Sequence, residues 1–283
     1  MTLYDLIDQM DTKKLFVDNF DRLKNHRYKG DKFDKILSQP RAFWYGWGRY
    51  DKKKLPEKSV RRLLNRAGEE IVTLVLYNIP KRDLGNYSKG GASTVEEYKQ
   101  YVDSFAKGIN KHCIVIVEPD ALPHLNKLDS EDSTIRSECL SYAVDKLLDT
   151  DAKVYIDIGH PNWLTPNQVA MLLLSTMTDS ADGFSVNVSN FVDTDTCIVW
   201  ATNVSHLTGG MNFVIDTSRN GAETDTWLNP KDAKIGIYPT LDTNVANCDG
   251  FLWIKIPGES DGKSEGAPSA GKFFSSYAEN LIK

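Results

Sequence analysis

Seven short apolar runs, each followed within a few residues by a carboxylate, amide or aromatic group, constrain this chain most. They span Phe43 to Trp47, Ile71 to Tyr77, Ile114 to Val117, Lys153 to Ile156, Gly183 to Val188, Asn212 to Ile215 and Phe251 to Ile256. Four of them lack polar alternation, the pattern of strands buried on both faces in a parallel sheet covered by helices. Polar residues gather just after their C-terminal ends: Asp83, Asp120, Asp157, Asn187 with Asn190, Asp216 with Arg219, and Asp261. A β/α barrel assembles its reacting groups at that end of its strands. The expected fold class is therefore α/β.

Segments of helical character separate the runs. Ser93 to Ile109 opens with an N-cap signal and spaces Tyr98, Tyr101, Val102, Phe105 and Ile109 near the helical period. Thr134 to Leu148 repeats that spacing, and Thr165 to Leu174 carries Pro166 at its first turn. Alternating strands and helices predict right-handed βα units and one parallel sheet. A length of 283 residues suits a single barrel, and no Gly/Ser/Pro-rich linker or internal repeat divides it. With 41% hydrophobic and 26% charged residues the composition excludes a disordered chain. A net charge of -5 argues against a polyanion as main partner, and Lys52, Lys53, Lys54, Lys58, Arg61, Arg62 and Arg66 read as a solvated helix face. No apolar stretch reaches the roughly 18 residues needed to span a bilayer. Thr2 to Met10 is amphipathic and acidic, without the basic start of a secretory leader. Cys113, Cys139, Cys197 and Cys248 are expected to be buried free thiols.

Three clusters carry candidate chemistry. In Val117-Glu118-Pro119-Asp120, proline ends the ladder and pushes Asp120 out over the barrel mouth. Ile79 to Asp83 leads into a loop with Gly85, Gly90 and Gly91, which suggests mobility, and Ser88 within it could hold a water. Lys255 to Gly262 brings a cation and two acids together after the last run. Bland readings stand beside these. Asp157 or Asp216 alone could be a helix N-cap, and Asp216 could pair with Arg219. A metal at Asp157-Ile158-Gly159-His160 lacks a second histidine at suitable spacing, and the Gly90 stretch lacks the lysine of a phosphate loop. Trp44, Trp47, Trp163 and Trp227 fall near the same rim, and flat aromatic faces among carboxylates suit a sugar.

At these residues the chain resembles glycoside hydrolase family 6, the β-1,4-glucan hydrolases, from about Leu15 to Ile282. The motifs are Leu76 to Pro80 with Arg82-Asp83, Val117 to Asp120, Tyr155 to His160, Val214 to Gly221, and Trp253 to Lys255 through Gly262. The resemblance implies a distorted, seven-stranded parallel β/α barrel, TIM-like and single-domain, with residues 1–14 as an N-terminal extension and 15–283 as the catalytic domain. By resemblance Asp120 is the proton donor to the glycosidic oxygen. Asp83 is the neighbouring carboxylate that raises the donor's proton affinity, and Asp261 is the proposed base, an assignment disputed within the family. Tyr77 resembles the tyrosine that distorts the reacting sugar, and Ser88 lies in the water-holding loop. Trp44, Trp163, Trp227, Lys255, Glu259, His160, Asn187 and Asp157 match substrate-binding positions. The implied reaction inverts the anomeric centre, without metal or organic cofactor.

Two departures from the family pattern refine the expectation. Leu84 and Leu228 stand where family members often carry disulfide cysteines, which fits a reducing compartment or anaerobic source. A polymeric substrate argues for an extracellular protein, and the missing leader argues against one. Only Lys263 to Ala270 separates Gly262 from a terminal helix expected near Gly271, too short to roof the site. The pattern is therefore that of an open-cleft, bacterial-type endoglucanase. It is expected to be a monomer acting on a β-1,4-glucan, with no nucleic-acid or membrane partner. A cellobiohydrolase of the same family, a catalytically silent glucan-binding protein and a phosphate-handling barrel are the alternatives.

Overall fold

Runs rich in Val, Ile and Leu become strands because branched side chains pack well on a pleated surface, and both faces here have apolar neighbours. The computed structural model describes residues 14–18, 31–47, 54–264 and 266–283. Seven strands form one sheet in chain order: β1 (Phe43–Tyr45), β2 (Thr73–Leu76), β3 (Cys113–Val117), β4 (Ala152–Asp157), β5 (Gly183–Val186), β6 (Asn212–Asp216) and β7 (Cys248–Leu252). Every neighbouring pair is parallel. Seven helices lie among the described residues: α1 (Asp34–Leu37), α2 (Glu57–Ala67), α3 (Val95–Gly108), α4 (Ser130–Leu148), α5 (Pro166–Ser175), α6 (Thr194–Leu207) and α7 (Ser275–Leu281).

The absence of polar alternation now has its cause. Leu74, Leu76, Val115 and Val117 face the outer layer against α2, α3 and α4, and their neighbours Val75, Ile114 and Ile116 face the barrel interior with Tyr155, Val214 and Leu252. Alternate residues thus enter two different cores. Helix starts follow from local chemistry. Thr94, Asp129 and Asp193 accept from the backbone N–H three residues on, and Thr165 with Gln168 completes a capping box at α5. All four cysteines are buried free thiols, as expected. The described part of the basic stretch, on α2, is solvated at Lys58, Arg61, Arg62 and Arg66. Lys52 and Lys53, and the amphipathic stretch Thr2 to Met10, lie outside the described residues.

The sheet curls without closing. β1 and β7 share no ladder; the Ala42 N–H donates to Trp253 O (3.0 Å) and Trp44 Nε1 to Ile254 O (2.8 Å) across the seam. The free edge of β7 is covered by Thr240, which exchanges two backbone bonds with Phe251 in antiparallel sense (both 2.9 Å). Covering an edge removes a template for pairing with another chain. The last strand ends at Leu252 rather than Ile256, because β6 offers no partner beyond Asp216. The terminal helix starts at Ser275 rather than near Gly271. Before it, Glu259 and Phe273 are paired in antiparallel sense, with the Ser260 N–H donating to Lys272 O and the Gly271 N–H donating to Ser260 O. Among the described residues no helix is long and apolar enough to cross a membrane.

Candidate active site

The backbone bends sharply where the strands end. Lys81, Asp83 and Leu84 after β2, Glu118 and Asp120 after β3, and Asn187 and Ser189 after β5 all have positive φ. Left-handed conformations in non-glycine residues cost about 1–3 kcal/mol each and persist only where surrounding bonds over-determine them. Those bonds are present. The Glu118 carboxylate accepts from the backbone N–H groups of Asn78 (2.9 and 3.0 Å) and Ile79 (3.1 Å), tying the end of β3 to that of β2. The Asp120 N–H donates to Asp157 Oδ1 (2.8 Å), tying β3 to β4.

Asp120 is partly exposed while its carboxyl sits in a poorly hydrated setting. Burial pushes it up to about 7, and the nearby charge of Asp83 adds in the same direction. Asp83 is itself raised, first by burial, and is held partly back by the Ser88 N–H, which donates to its Oδ2 (2.7 Å), and by Arg82. The Asp83 charge thus adds to burial in disfavouring ionisation of Asp120, which holds its proton toward neutral pH. Asp157, fully buried, is raised by burial and by Asp120 while accepting from Gly159 N–H (3.2 Å) and the Ser185 hydroxyl (3.0 Å). It caps no helix. Neither does Asp216, which accepts from the backbone N–H groups of Ser189, Ser218, Ile254 and Lys255 (2.9–3.3 Å) and so pins β5, β6 and β7 together.

Arg219, for which a pair with Asp216 was one alternative, turns instead to Asp261. Its Nη1 donates to both carboxylate oxygens (2.8 and 2.9 Å), and Nη2 binds Ser189 O. Lys255 Nζ lies 3.6 Å from the same carboxylate. Asn229 donates its N–H to Asp261 Oδ2 (3.1 Å) and accepts from the Asp261 N–H (2.8 Å). Asp261 is thus fixed by partners from two other segments. Tyr77 lies near enough to Asp120 and Asp83 for both charges to act on its hydroxyl. The Tyr77 ring meets Trp44 edge-on (5.2 Å, 87°), and the Arg82 guanidinium lies 4.5 Å from its centroid. Burial raises the Tyr77 hydroxyl far above its usual range, so it stays protonated. A side chain at Gly46 would collide with Tyr77 O (1.9 Å) and Arg82 (2.7 Å), which explains the glycine at the end of β1.

The remaining predicted residues divide into two groups. Trp163 packs on His160 (5.6 Å) and His124 (5.1 Å), with Lys127 over its ring (5.3 Å). Burial lowers His160 to about 4, so the ring is neutral. Trp163 also lines an open pocket of about 330 Å³ with Asn162, Thr165 and Trp200. Trp227 is 57% exposed, Ser88 borders Asp83, and Glu259 is half-buried on the segment between Lys255 and Asp261. Asn187, by contrast, is fully buried and spends its amide on Val192 and Asp216 backbone groups. Glu118, Arg82 and Asn229 escape a reading of strand ends. Glu118 lies inside the Val117 to Asp120 motif, and a carboxylate directly after an apolar strand was the available signal for it. Arg82 and Asn229 act through contacts distant in sequence.

Comparison with known proteins supplies the relatives of this arrangement. The profile of Glycosyl hydrolases family 6 matches residues 9–283. Endoglucanase A of Cellulomonas fimi is 37% identical over 88% of this chain and 55% of its own length. Endoglucanase 1 of Streptomyces sp. (strain KSM-9) is 34% identical over 81% and 66%. The chain spans about half to two thirds of the length of these curated relatives. Among solved structures, the endoglucanase Cel6 from Mycobacterium tuberculosis, in complex with methyl-cellobiosyl-4-deoxy-4-thio-β-D-cellobioside, superposes with a TM-score of 0.89. It is 36% identical, with 97% of this chain and 98% of that one covered. An Orpinomyces sp. Y102 enzyme of the same family gives 0.83 at 29% identity, covering 97% of each chain.

Proposed function

This chain belongs to glycosyl hydrolase family 6, and from that premise we propose that it hydrolyses internal β-1,4-glucosidic bonds of a β-glucan with inversion at the anomeric carbon. The observation that carries the reading is Asp120, a partly exposed carboxyl raised to about 7 by burial and by the charge of Asp83. Such a group is protonated at mildly acidic pH and can give its proton to a departing alkoxide.

In this reading Asp120 protonates the glycosidic oxygen as the bond from the anomeric carbon to that oxygen breaks. A water attacks the same carbon from the opposite face, and Asp261 accepts the proton that the water loses. Arg219, Lys255 and Asn229 fix the orientation of the Asp261 carboxylate. Inversion requires space for that water, with acid and base about 6.5–9.5 Å apart. Asp83 tunes Asp120 and takes up a proton through water when the site resets. Trp44, Trp163 and Trp227 offer flat faces to sugar rings, and Tyr77 presses on the ring that reacts. A family relationship to endoglucanases, and the short segment after Asp261, support internal cleavage. Substrate size favours a protein that works outside the cell, and nothing in the reading requires a second subunit.

Time-resolved proton NMR with cellohexaose tests the mechanism. The α-anomer should appear first at the new reducing end, and a β-anomer appearing first would overturn the assigned roles. Viscosity of a soluble glucan should collapse early. A slow decline accompanied only by cellobiose release would replace internal cleavage with release from chain ends.

A further inference from the structure

Tyr87 lies in the loop after β2, between Asp83 on one side and Ser88 and Gly90 on the other, and it makes no contribution to the roles above. Its ring meets the indole of Trp227 edge-on (5.7 Å, 67°), although the two residues remain 48% and 57% exposed. It also covers Gly262, the residue after Asp261. A Cβ at position 262 would lie 2.3 Å from Tyr87 Cδ1 and 2.7 Å from Cγ, so only glycine admits the ring there.

Trp227 and Gly262 belong to one unit, because Asn229 donates its side-chain amide to Gly262 O (3.0 Å) while exchanging bonds with Asp261. Tyr87 therefore joins the loop after β2 to the loop after β7, the strands flanking β1 at the seam. On its own side the next residue, Ser88, gives its N–H to the Asp83 carboxylate, and Arg82 Nε donates to Ser88 O (2.8 Å). The loop also contains three non-glycine residues with positive φ, Lys81, Asp83 and Leu84. A strained loop needs an external contact to hold it.

We propose that Tyr87 is a positioning residue: its ring, seated on Gly262 and Trp227, holds the Ser88 N–H against Asp83 and so couples the Asp261 loop to the carboxyl pair that serves proton donation. The proposal rests on the hydrolytic reading of this groove. If the ring leaves, Asp83 loses the bond that favours its ionised form, and its titration moves to higher pH.

The test compares Tyr87→Ala with Tyr87→Phe in the full chain acting on cellohexaose. Tyr87→Ala should lower kcat about tenfold and move the acidic limb of the pH profile upward, with KM changed less than about threefold. Tyr87→Phe, which keeps the ring contact, should stay within about twofold of wild type. A defect confined to KM would make Tyr87 a sugar-contact residue and overturn the proposal. So would an unchanged acidic limb, or a Phe variant as impaired as Ala. Hydrogen exchange at the Ser88 amide, followed by NMR, reads the coupling without catalysis. It should accelerate about tenfold in Tyr87→Ala, and unchanged protection overturns the proposal even if the wild-type protein cleaves no glucan, an outcome that would count against the hydrolytic reading instead.

Discussion

At the scale of single residues, the governing fact is that ionising a carboxyl in a dry setting is expensive. Asp120 is raised by burial first and by Asp83 second, so removing the Asp83 charge should lower it. Asp83→Asn is therefore expected to move the basic limb of kcat/KM from about 7 toward lower pH, as rate measurements on cellohexaose across pH 4–9 would show. Asp120→Asn should cut kcat by at least about a hundredfold while leaving cellohexaose affinity within a few-fold of wild type in calorimetry. The acids at strand ends were visible in the sequence because apolar runs stop at them. The apolar runs alone did not separate acids suited to chemistry from acids that hold backbone; only the family motifs did. Asp216 and Asp157 look like Asp83 and Asp120 as letters, yet Asp216 spends its oxygens on four N–H groups from three segments.

At the scale of elements, the loops after β2, β3, β6 and β7 supply the candidate site. Arg219 after β6 is fully buried, and its Nη1 reaches both oxygens of Asp261 after β7. Breaking a buried pair strands the remaining charge and costs about 3–5 kcal/mol. Arg219→Ala should accordingly lower stability by that order in urea unfolding and reduce kcat together with it. Arg219→Lys should recover only part of both, because an ammonium cannot reproduce the guanidinium's simultaneous bonds to Asp261 and Ser189. The starts of α3 and α5 follow local rules that a sequence displays directly, at Thr94 and at Thr165-Pro166, whereas the helix expected from Thr134 begins four residues earlier at Ser130, capped by Asp129. Strand ends were less legible. β7 stops at Leu252 because its partner β6 stops, a property of the pair rather than of either segment.

At the scale of the whole molecule, several raised acids make stability depend on pH. Glu118 and Asp120 are pushed up to about 7, and Asp83, Asp157 and Asp216 are raised as well, with burial the largest cause in each case. Between about 4, where these groups ionise in the unfolded chain, and about 7, the folded state binds more protons than the unfolded one. Stability is then complete on the acid side and is lost as pH rises through that window. Scanning calorimetry should find a higher Tm near pH 5 than near pH 8, and Asp120→Asn should narrow the difference. A Tm that rises from pH 5 to pH 8 would contradict the buried-acid account.

The sequence by itself determined the parallel α/β sheet and the end of its strands at which polar residues collect. Those properties are written in short-range patterns: apolar runs, helix caps and a proline after Glu118. Tertiary structure alone decided that Arg219 pairs with Asp261, that Asn187 is spent within the scaffold, and that Tyr87 reaches Trp227 and Gly262. Apart from the local bond of Asn187 to Val192, these contacts join residues well separated along the chain, from Asn187 with Asp216 to Tyr87 with Trp227 and Gly262. Their partners are selected by the curl of the sheet, which brings β7 beside β1, and by the need of every buried polar group for a partner once water is excluded.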